Sequence, residues 1–250
     1  MGDDAHGHAI ALRFNGASWS AASLPAAGND NLQGVKAFSP TDVWVVGSQV
    51  PNLASQGRTL VMHWNGSAWS VAASANPDPN SDILHAIDGV STTDLWAVGQ
   101  QAQDETLTGV PPGTRTLAEH WNGTRWSATT TPNTGDNDSL NGVAAVSSTA
   151  VFSAGAFVQT GGSIPIDRTI AERWNGSSWA VQASADVGAT DNLLTGAAAI
   201  PGTGSVWAVG FRLTSSNVDQ TLIERGPWTG RASPSRHDQR LDGLAGAGEL

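Results

Sequence analysis

The chain of 250 residues has no cysteine and no tyrosine, and Lys36 is its only lysine. Without cysteine there is no disulfide framework, no thiol nucleophile and no thiolate metal ligand. Basic residues are few: 12 against 22 acidic ones, a net charge of −10, with no basic cluster. Binding to a phosphate backbone exchanges Lys and Arg for condensed counterions, so nucleic acid is not an expected partner. No apolar run approaches the roughly 18 residues of a transmembrane helix, and membrane insertion is not expected. The opening Met1-Gly2-Asp3-Asp4 is acidic and lacks an apolar stretch, so no signal peptide is visible. His-x-x-x-His, Glu-x-x-His, Gly-x-Ser-x-Gly and phosphate-loop patterns are also missing, which removes the common sequence signatures of metal and nucleophile chemistry.

What is abundant is tryptophan, with 11 copies, and it follows a repeat. Four stretches match: Arg13-Phe14-Asn15-Gly16-Ala17-Ser18-Trp19-Ser20, His63-Trp64-Asn65-Gly66-Ser67-Ala68-Trp69-Ser70, His120-Trp121-Asn122-Gly123-Thr124-Arg125-Trp126-Ser127 and Arg173-Trp174-Asn175-Gly176-Ser177-Ser178-Trp179-Ala180. A degraded fifth copy surrounds Trp228, and the steps between second tryptophans are 50, 57, 53 and 49 residues. A second motif interleaves as Asp42-Val43-Trp44-Val45-Val46-Gly47, Asp94-Leu95-Trp96-Ala97-Val98-Gly99, Ala150-Val151-Phe152-Ser153-Ala154-Gly155 and Ser205-Val206-Trp207-Ala208-Val209-Gly210. A third precedes it, beginning at Leu32, Leu84, Leu140, Leu194 and Leu241.

Each period therefore holds four short strands, here named a to d, bounded by Gly, Asn, Asp or Pro. Strand a is Leu-x-Gly-Val, b is Asp-Val-Trp-Ala-Val-Gly, c ends in His-Trp, and d carries the second tryptophan. The Asn-Gly between c and d suits a tight, primed hairpin turn. Four antiparallel strands per period of about 40–50 residues are the unit of a β-propeller blade. The expected fold is all-β, a propeller of about five four-stranded blades in one domain. Blades are placed at approximately 32–75, 84–132, 140–185 and 194–233. A closing blade is shared between the termini: strand a from Leu241 to about Gly246, strands c and d from residues 6–24. That blade lacks strand b, although Glu249-Leu250 stands where Asp-Leu opens it and Gly2 where Gly closes it. The chain reads equally as a segment of a longer repeat array. The unfilled position is expected to promote self-association.

The pairing of Asp-Val-Trp-Ala-Val-Gly with His-Trp-Asn-Gly-x-x-Trp-Ser resembles bacterial tandem-repeat propellers. It is distantly similar to propeller lectins of the tectonin and fucose-binding type, over about residues 6 to 246. The resemblance implies a glycan ligand, but the long, unequal b–c connections (48–57, 100–114, 156–167 and 211–219) depart from those lectins, so their sugar-binding residues do not map here. The Asn-Gly-x-x-Trp hairpin is also similar to the Asp-box turn of sialidase-like propellers, where the turn is structural.

Candidate site residues are Asp30, Asp82, Asp138, Asp191 and Asp238, each just before a strand a, and Arg58, Arg115 and Arg168, at the start of strand c. Five carboxylates at one mouth of the channel would hold a cation, calcium being the candidate, or a ligand. The alternatives are Asx turns opening each strand, or Arg–Asp forks. The repeat tryptophans are expected to be inter-blade core. Lys36 and Asp88, at one strand-a position in successive blades, are expected to pair. His63 and His120 look like tolerated strand-c positions, and the loop with Asp104 and Glu105 is a further place for a ligand. The reading of function is a non-catalytic binding module for a glycan or protein, extracellular or on the cell surface, with no required cofactor. The rivals are a polysaccharide-cleaving propeller enzyme, which would need unequal carboxylates at the mouth, and a structural repeat without its own ligand.

Overall fold

The structure, a computed structural model, describes residues 2–3, 9–25, 29–50, 57–77, 81–102, 113–160, 162, 164–187, 190–216 and 218–226. Within them the chain forms eighteen strands in five antiparallel sheets and no α-helix. An N-terminal sheet contains β1 (Gly2–Asp3), β2 (Ala9–Phe14) and β3 (Trp19–Ala22). Three four-stranded blades follow. The first is β4 (Asn29–Ser39), β5 (Asp42–Val50), β6 (Arg58–Trp64) and β7 (Trp69–Ala72). The second is β8 (Asp82–Ser91), β9 (Asp94–Ala102), β10 (Thr114–Trp121) and β11 (Trp126–Thr129). The third is β12 (Asp136–Ser147), β13 (Ala150–Gln159), β14 (Ile166–Trp174) and β15 (Trp179–Gln182). The fourth contributes β16 (Asn192–Ala199), β17 (Val206–Leu213) and β18 (Asp219–Gly226). In every full blade the strands lie in sequence order, a up-and-down meander, and the inner strands β4, β8, β12 and β16 contact one another in turn. This is a β-propeller. The fifth tryptophan repeat at Trp228, the strand expected at Leu241–Gly246, Asp238 and the loop with Asp104 and Glu105 lie outside the described residues.

The repeat's invariant letters have local causes. Strand a carries a bulge in each blade, between Leu32 and Gly34, Leu84 and Ala86, Leu140 and Gly142, and Leu194 and Gly196. The bulge pushes a strand-a carbonyl at the last residue of the strand-b motif. A Cβ on Gly99 would stand 1.9 Å from the Ile83 carbonyl oxygen, so only glycine fits. The Asn-Gly connection differs from the expected two-residue primed turn. Trp64 pairs directly with Trp69, leaving a four-residue loop in which the Asn65 Oδ1 accepts the N–H groups of Ser67 and Ala68 at 3.0 Å each. Only Gly66 takes positive φ, +96°. The asparagine acts as a side-chain cap, and the left-handed position falls on the glycine alone.

The core lies between blades. Trp44 of the first blade meets Trp121 and Trp126 of the second at ring-centroid distances of 5.1 and 5.9 Å, and Trp96 of the second meets Trp174 and Trp179 of the third at 4.8 and 5.1 Å. Trp44 and Trp96 thus each plug the seam to the next blade, packing on that blade's strands c and d. Trp126 and Trp179 are buried as expected, as are Trp44 and Trp96, but Trp64, Trp69, Trp121 and Trp174 are only half-buried, and Trp19 is 66% and Trp207 40% exposed.

Nearer the axis, the Lys36 Nζ meets the Asp88 Oδ1 at 2.5 Å, and the other Asp88 oxygen accepts the Ala145 N–H at 2.8 Å. One carboxylate therefore ties three consecutive inner strands together.

Candidate functional site

Three of the expected acids are buried at the start of strand a, which in these blades begins two to four residues before the motif leucine. Asp30 and Asp82 lie within β4 and β8, and Asp138 within β12. Two residues before each strand-a leucine, the fourth blade has the buried Asn192; Asp191 sits one place earlier and is half-buried. Asp138 and Asn192 close the turn before their own strand. The Asp138 Oδ2 accepts the Thr134 N–H at 2.8 Å, and its Oδ1 accepts that of Gly135 at 3.2 Å. The Asn192 Oδ1 accepts the Val187 N–H at 3.1 Å. The Asp191 Oδ1 accepts the Asp167 N–H at 2.9 Å. Burial raises the Asp138 carboxyl above its ordinary value, against the pull of those two N–H groups and of the Arg115 charge.

Arg58 and Arg115 are exposed; Arg168 is half-buried and donates from its Nε to the Gln159 Oε1 at 3.0 Å. Among the described residues no group of three or more His, Asp or Glu side chains is placed to hold a metal ion.

A second set of acids went unnoticed in the sequence. Glu119, Glu172 and Glu224 occupy one strand-c position in blades two, three and four, and all are buried. Glu119 reaches the preceding blade, where its Oε2 accepts the Ala75 N–H at 3.1 Å. Glu224 does the same with the Ser184 hydroxyl and the Ala185 N–H. At the matching place before Glu172 the chain has Pro132, which has no N–H to give. Both Glu172 carboxyl oxygens are accordingly buried without a hydrogen-bond partner. Burial, with the nearby Asp138 charge, pushes Glu172 up to about 8, and burial pushes Glu119 up to about 7. Glu172 is therefore mainly a neutral acid at pH 7. The signal in the sequence was available, since Glu119, Glu172 and Glu224 recur two residues before Trp121, Trp174 and Gly226, where the first blade has the apolar Met62.

The histidines also have a definite role. The His63 ring stacks on Trp44 at 4.2 Å and its Nε2 lies 3.0 Å from the Asp42 Oδ1; His120 stacks on Trp96 at 4.3 Å and lies 2.8 Å from the Asp94 Oδ1. Where strand b opens with Ala150 or Ser205 in place of Asp, the lid is arginine: Arg173 lies 5.7 Å over Phe152, and Arg225 5.9 Å over Trp207. His63 and His120 are thus lids on the plugging aromatic, paired to the acid at the strand's start.

In the N-terminal sheet Arg13 holds the lid's place in the motif, and no strand-b aromatic lies among the described residues. β1 lies in the strand-b position, with Gly2 opposite Ile10 as Gly47 is opposite Leu60, and stops after Asp3 opposite Ala9. From Ala11 to Phe14, β2 pairs with β3 on one side. On the other side, between this sheet and the first blade, lies a cavity of about 620 Å³. Arg13, Phe14, Phe38, Val43, Trp64 and Trp69 line it. Trp64 and Trp69 are the very pair that a strand-b aromatic would cover.

These features define a β-propeller with a cleft at the seam beside its N-terminal sheet. No family model and no curated protein matches the sequence. A solved structure described as YCF48 bound to D1 peptide is similar at 14% identity and a TM-score of 0.43, over 84% of this chain and 58% of that one. The chain thus spans a little over half of that protein's length.

Proposed function

We propose that the chain is a non-catalytic binding module that takes an apolar side chain of a protein partner in the cleft beside the N-terminal sheet. The observation that carries this is the cavity itself. It is walled by Trp64, Trp69, Phe14 and Phe38, whereas the seams from the first blade to the second and from the second to the third are filled by Trp44 and Trp96. Apolar concavities with a few polar groups at the rim are the usual form of a ligand site, and here Arg13 and Asn15 supply them. The non-catalytic part is supported by the acids. Asp138, Asp191, Glu119 and Glu224 each accept backbone N–H groups, and Glu172 is sealed from solvent where no substrate reaches it.

A glycan is the second reading, favoured by the two indole faces at the cleft, which suit the C–H face of a sugar. The test is a titration with N-acetyltryptophanamide and, separately, with a monosaccharide panel, following the indole N–H resonances of Trp64 and Trp69. The amide is expected to shift both signals in the parent chain. Ala37→Trp, which fills the cleft from an exposed lining position, is expected to abolish the response. A response to sugars alone would carry the glycan reading, and silence to both would overturn the site.

A further inference from the structure

Asparagine is followed by glycine five times in the sequence, at Asn15, Asn65, Asn122, Asn141 and Asn175. In such a pair the glycine nitrogen can approach the asparagine side-chain amide, because no Cβ stands in the way. Asn141 is set in β12. Its Nδ2 donates to the Leu194 carbonyl at 2.9 Å, its Oδ1 accepts the Ser139 hydroxyl at 3.0 Å, and Gly142 is buried. The other four open the hairpin loops between strands c and d, and these loops share one backbone. Each asparagine N–H donates to the carbonyl three residues on, at 3.1–3.3 Å, and each glycine takes a φ of +90° to +100°. What differs is how the side-chain amide is held. The Oδ1 atoms of Asn65, Asn122 and Asn175 each accept the N–H groups two and three residues on. Each also accepts a hydroxyl, from Ser67 at 2.8 Å, Thr124 at 2.7 Å or Ser177 at 2.8 Å. Asn15 has Ala17 at that place, so its Oδ1 keeps the two N–H bonds, at 2.9 Å each, and lacks the third.

We infer that Asn15 is a site of spontaneous covalent modification, singled out among the four hairpins by the hydroxyl it lacks, and that it converts to aspartate and isoaspartate. Attack on Cγ requires the side chain to turn out of its cap, so each hydrogen bond to the amide holds the reaction back. Asn15, Gly16, Ala17 and Ser18 are all exposed, which leaves room for that turn and for water. The Gly16 nitrogen gives up its proton and bonds to the Asn15 Cγ. The Cγ–Nδ2 bond breaks, and the amide leaves as ammonia carrying that proton. The product is a five-membered imide, and one water opens it. Cleavage between Cγ and the ring nitrogen gives aspartate, and cleavage between the main-chain carbonyl and that nitrogen gives isoaspartate. No atom is oxidised or reduced. Asn15 lines the cleft, two residues from Arg13, so either product adds a carboxylate to its rim. Aspartate keeps an acceptor that can cap the loop. Isoaspartate runs the main chain through Cβ and Cγ, which lengthens the loop between the paired Phe14 and Trp19 by one atom.

The experiment ages the full folded chain in mildly alkaline buffer and samples it over days. Peptide mapping by mass spectrometry reads the exchange of ammonia for water at each Asn-Gly pair, and chromatography separates isoaspartate from aspartate. Asn15 is expected to convert roughly two- to tenfold faster than Asn65, Asn122 or Asn175, the range that one net hydrogen bond supports. Asn141 is expected to be the slowest. Two reciprocal variants separate the missing hydroxyl from the location of the hairpin. Ala17→Ser is expected to slow Asn15 to the rate of Asn65, and Ser67→Ala to raise Asn65 to the rate of Asn15. Both positions are exposed, so unchanged melting is expected in each variant. Equal rates at the four hairpins of the parent chain would overturn the inference. So would an Asn15 that converts fastest in the parent and equally fast with Ala17→Ser, since the missing hydroxyl would then not be what exposes it.

Discussion

The seam between the second and third blades and the faces beside the N-terminal sheet are built from the same repeat, yet one is dry and the others are open. At the first, Trp96 is 1% exposed and is boxed by His120, Trp174 and Trp179. At the N-terminal sheet, Leu12, Phe14 and Trp19 are exposed, as are Trp207, Val209 and Ile223 on the fourth blade. Trp126 and Trp19 hold the same place in the motif but are 5% and 66% exposed. The motif therefore does not bury its own tryptophan. The strand-b aromatic of the preceding blade buries it, so each blade's core is completed by its neighbour.

The strongest way to break this contrast is to truncate the equivalent tryptophans. Trp126→Ala should cost about 3–5 kcal/mol in urea unfolding, whereas Trp19→Ala should fall within roughly 0.5 kcal/mol of the parent, as exposed positions do. Equal losses would mean that the N-terminal sheet packs as tightly as the others in solution.

Glycine gives a second, smaller contrast. Gly99→Ala drives a Cβ into the Ile83 carbonyl and should cost about 1–3 kcal/mol by overpacking. Gly16→Ala meets open space and should cost only the strain of its φ of +99°, about 1 kcal/mol. Thermal melts of the pair check the order, and a larger effect at Gly16 would refute the bulge explanation.

A pH series sharpens the description of the sealed side. The Glu172 value of about 8 lies above the ordinary 4.5, so between those pH values the folded chain holds a proton that the unfolded chain releases. The stability that Glu172 contributes should therefore be fully present below about pH 4.5, fall as pH rises toward 8 and be lost above it. Glu119 adds to the fall between 4.5 and about 7. Glu172→Gln should flatten its share of the slope and melt higher than the parent at pH 9. Unfolding midpoints from pH 4 to 9 measure this, and an unchanged slope in the variant would mean that Glu172 is ionised in the fold. The smallest effect is expected at Lys36→Met. The pair with Asp88 is only partly buried, and its loss should cost about 0–1 kcal/mol in urea unfolding. A loss as large as that at Trp126 would make the axial ion pair, not the aromatic seams, the main tie between blades.

Much of this was legible in the chain. The repeat spacing, the alternation of a to d strands, the Lys36–Asp88 pair and the stub at Gly2 follow from aligned motifs, because each motif records a local rule. A glycine marks a bulge, an asparagine caps a loop, and a tryptophan marks a packed layer. The candidate acids show where such reading stops. Asp30, Asp82 and Asp138 stood out as a ring of charge, but that all three are buried, and that Asp138 closes the turn before its strand, became visible only with the backbone in place. Asp191 looked like their equal until the register put Asn192 there. Glu172 was passed over because nothing in its own strand distinguishes it from Glu119; the difference is Pro132 in another blade.

By itself the sequence determined the unit: four strands, their order, their turns and the aromatic that each unit offers its neighbour. These are set by interactions within a few residues, or between adjacent strands, where pattern and geometry coincide. Only the tertiary structure decided which of those aromatics are buried, which acids are neutral and where a cleft remains. Burial and a carboxyl's proton affinity depend on what stands across a seam, some fifty residues away in the chain, and no local pattern records that neighbour.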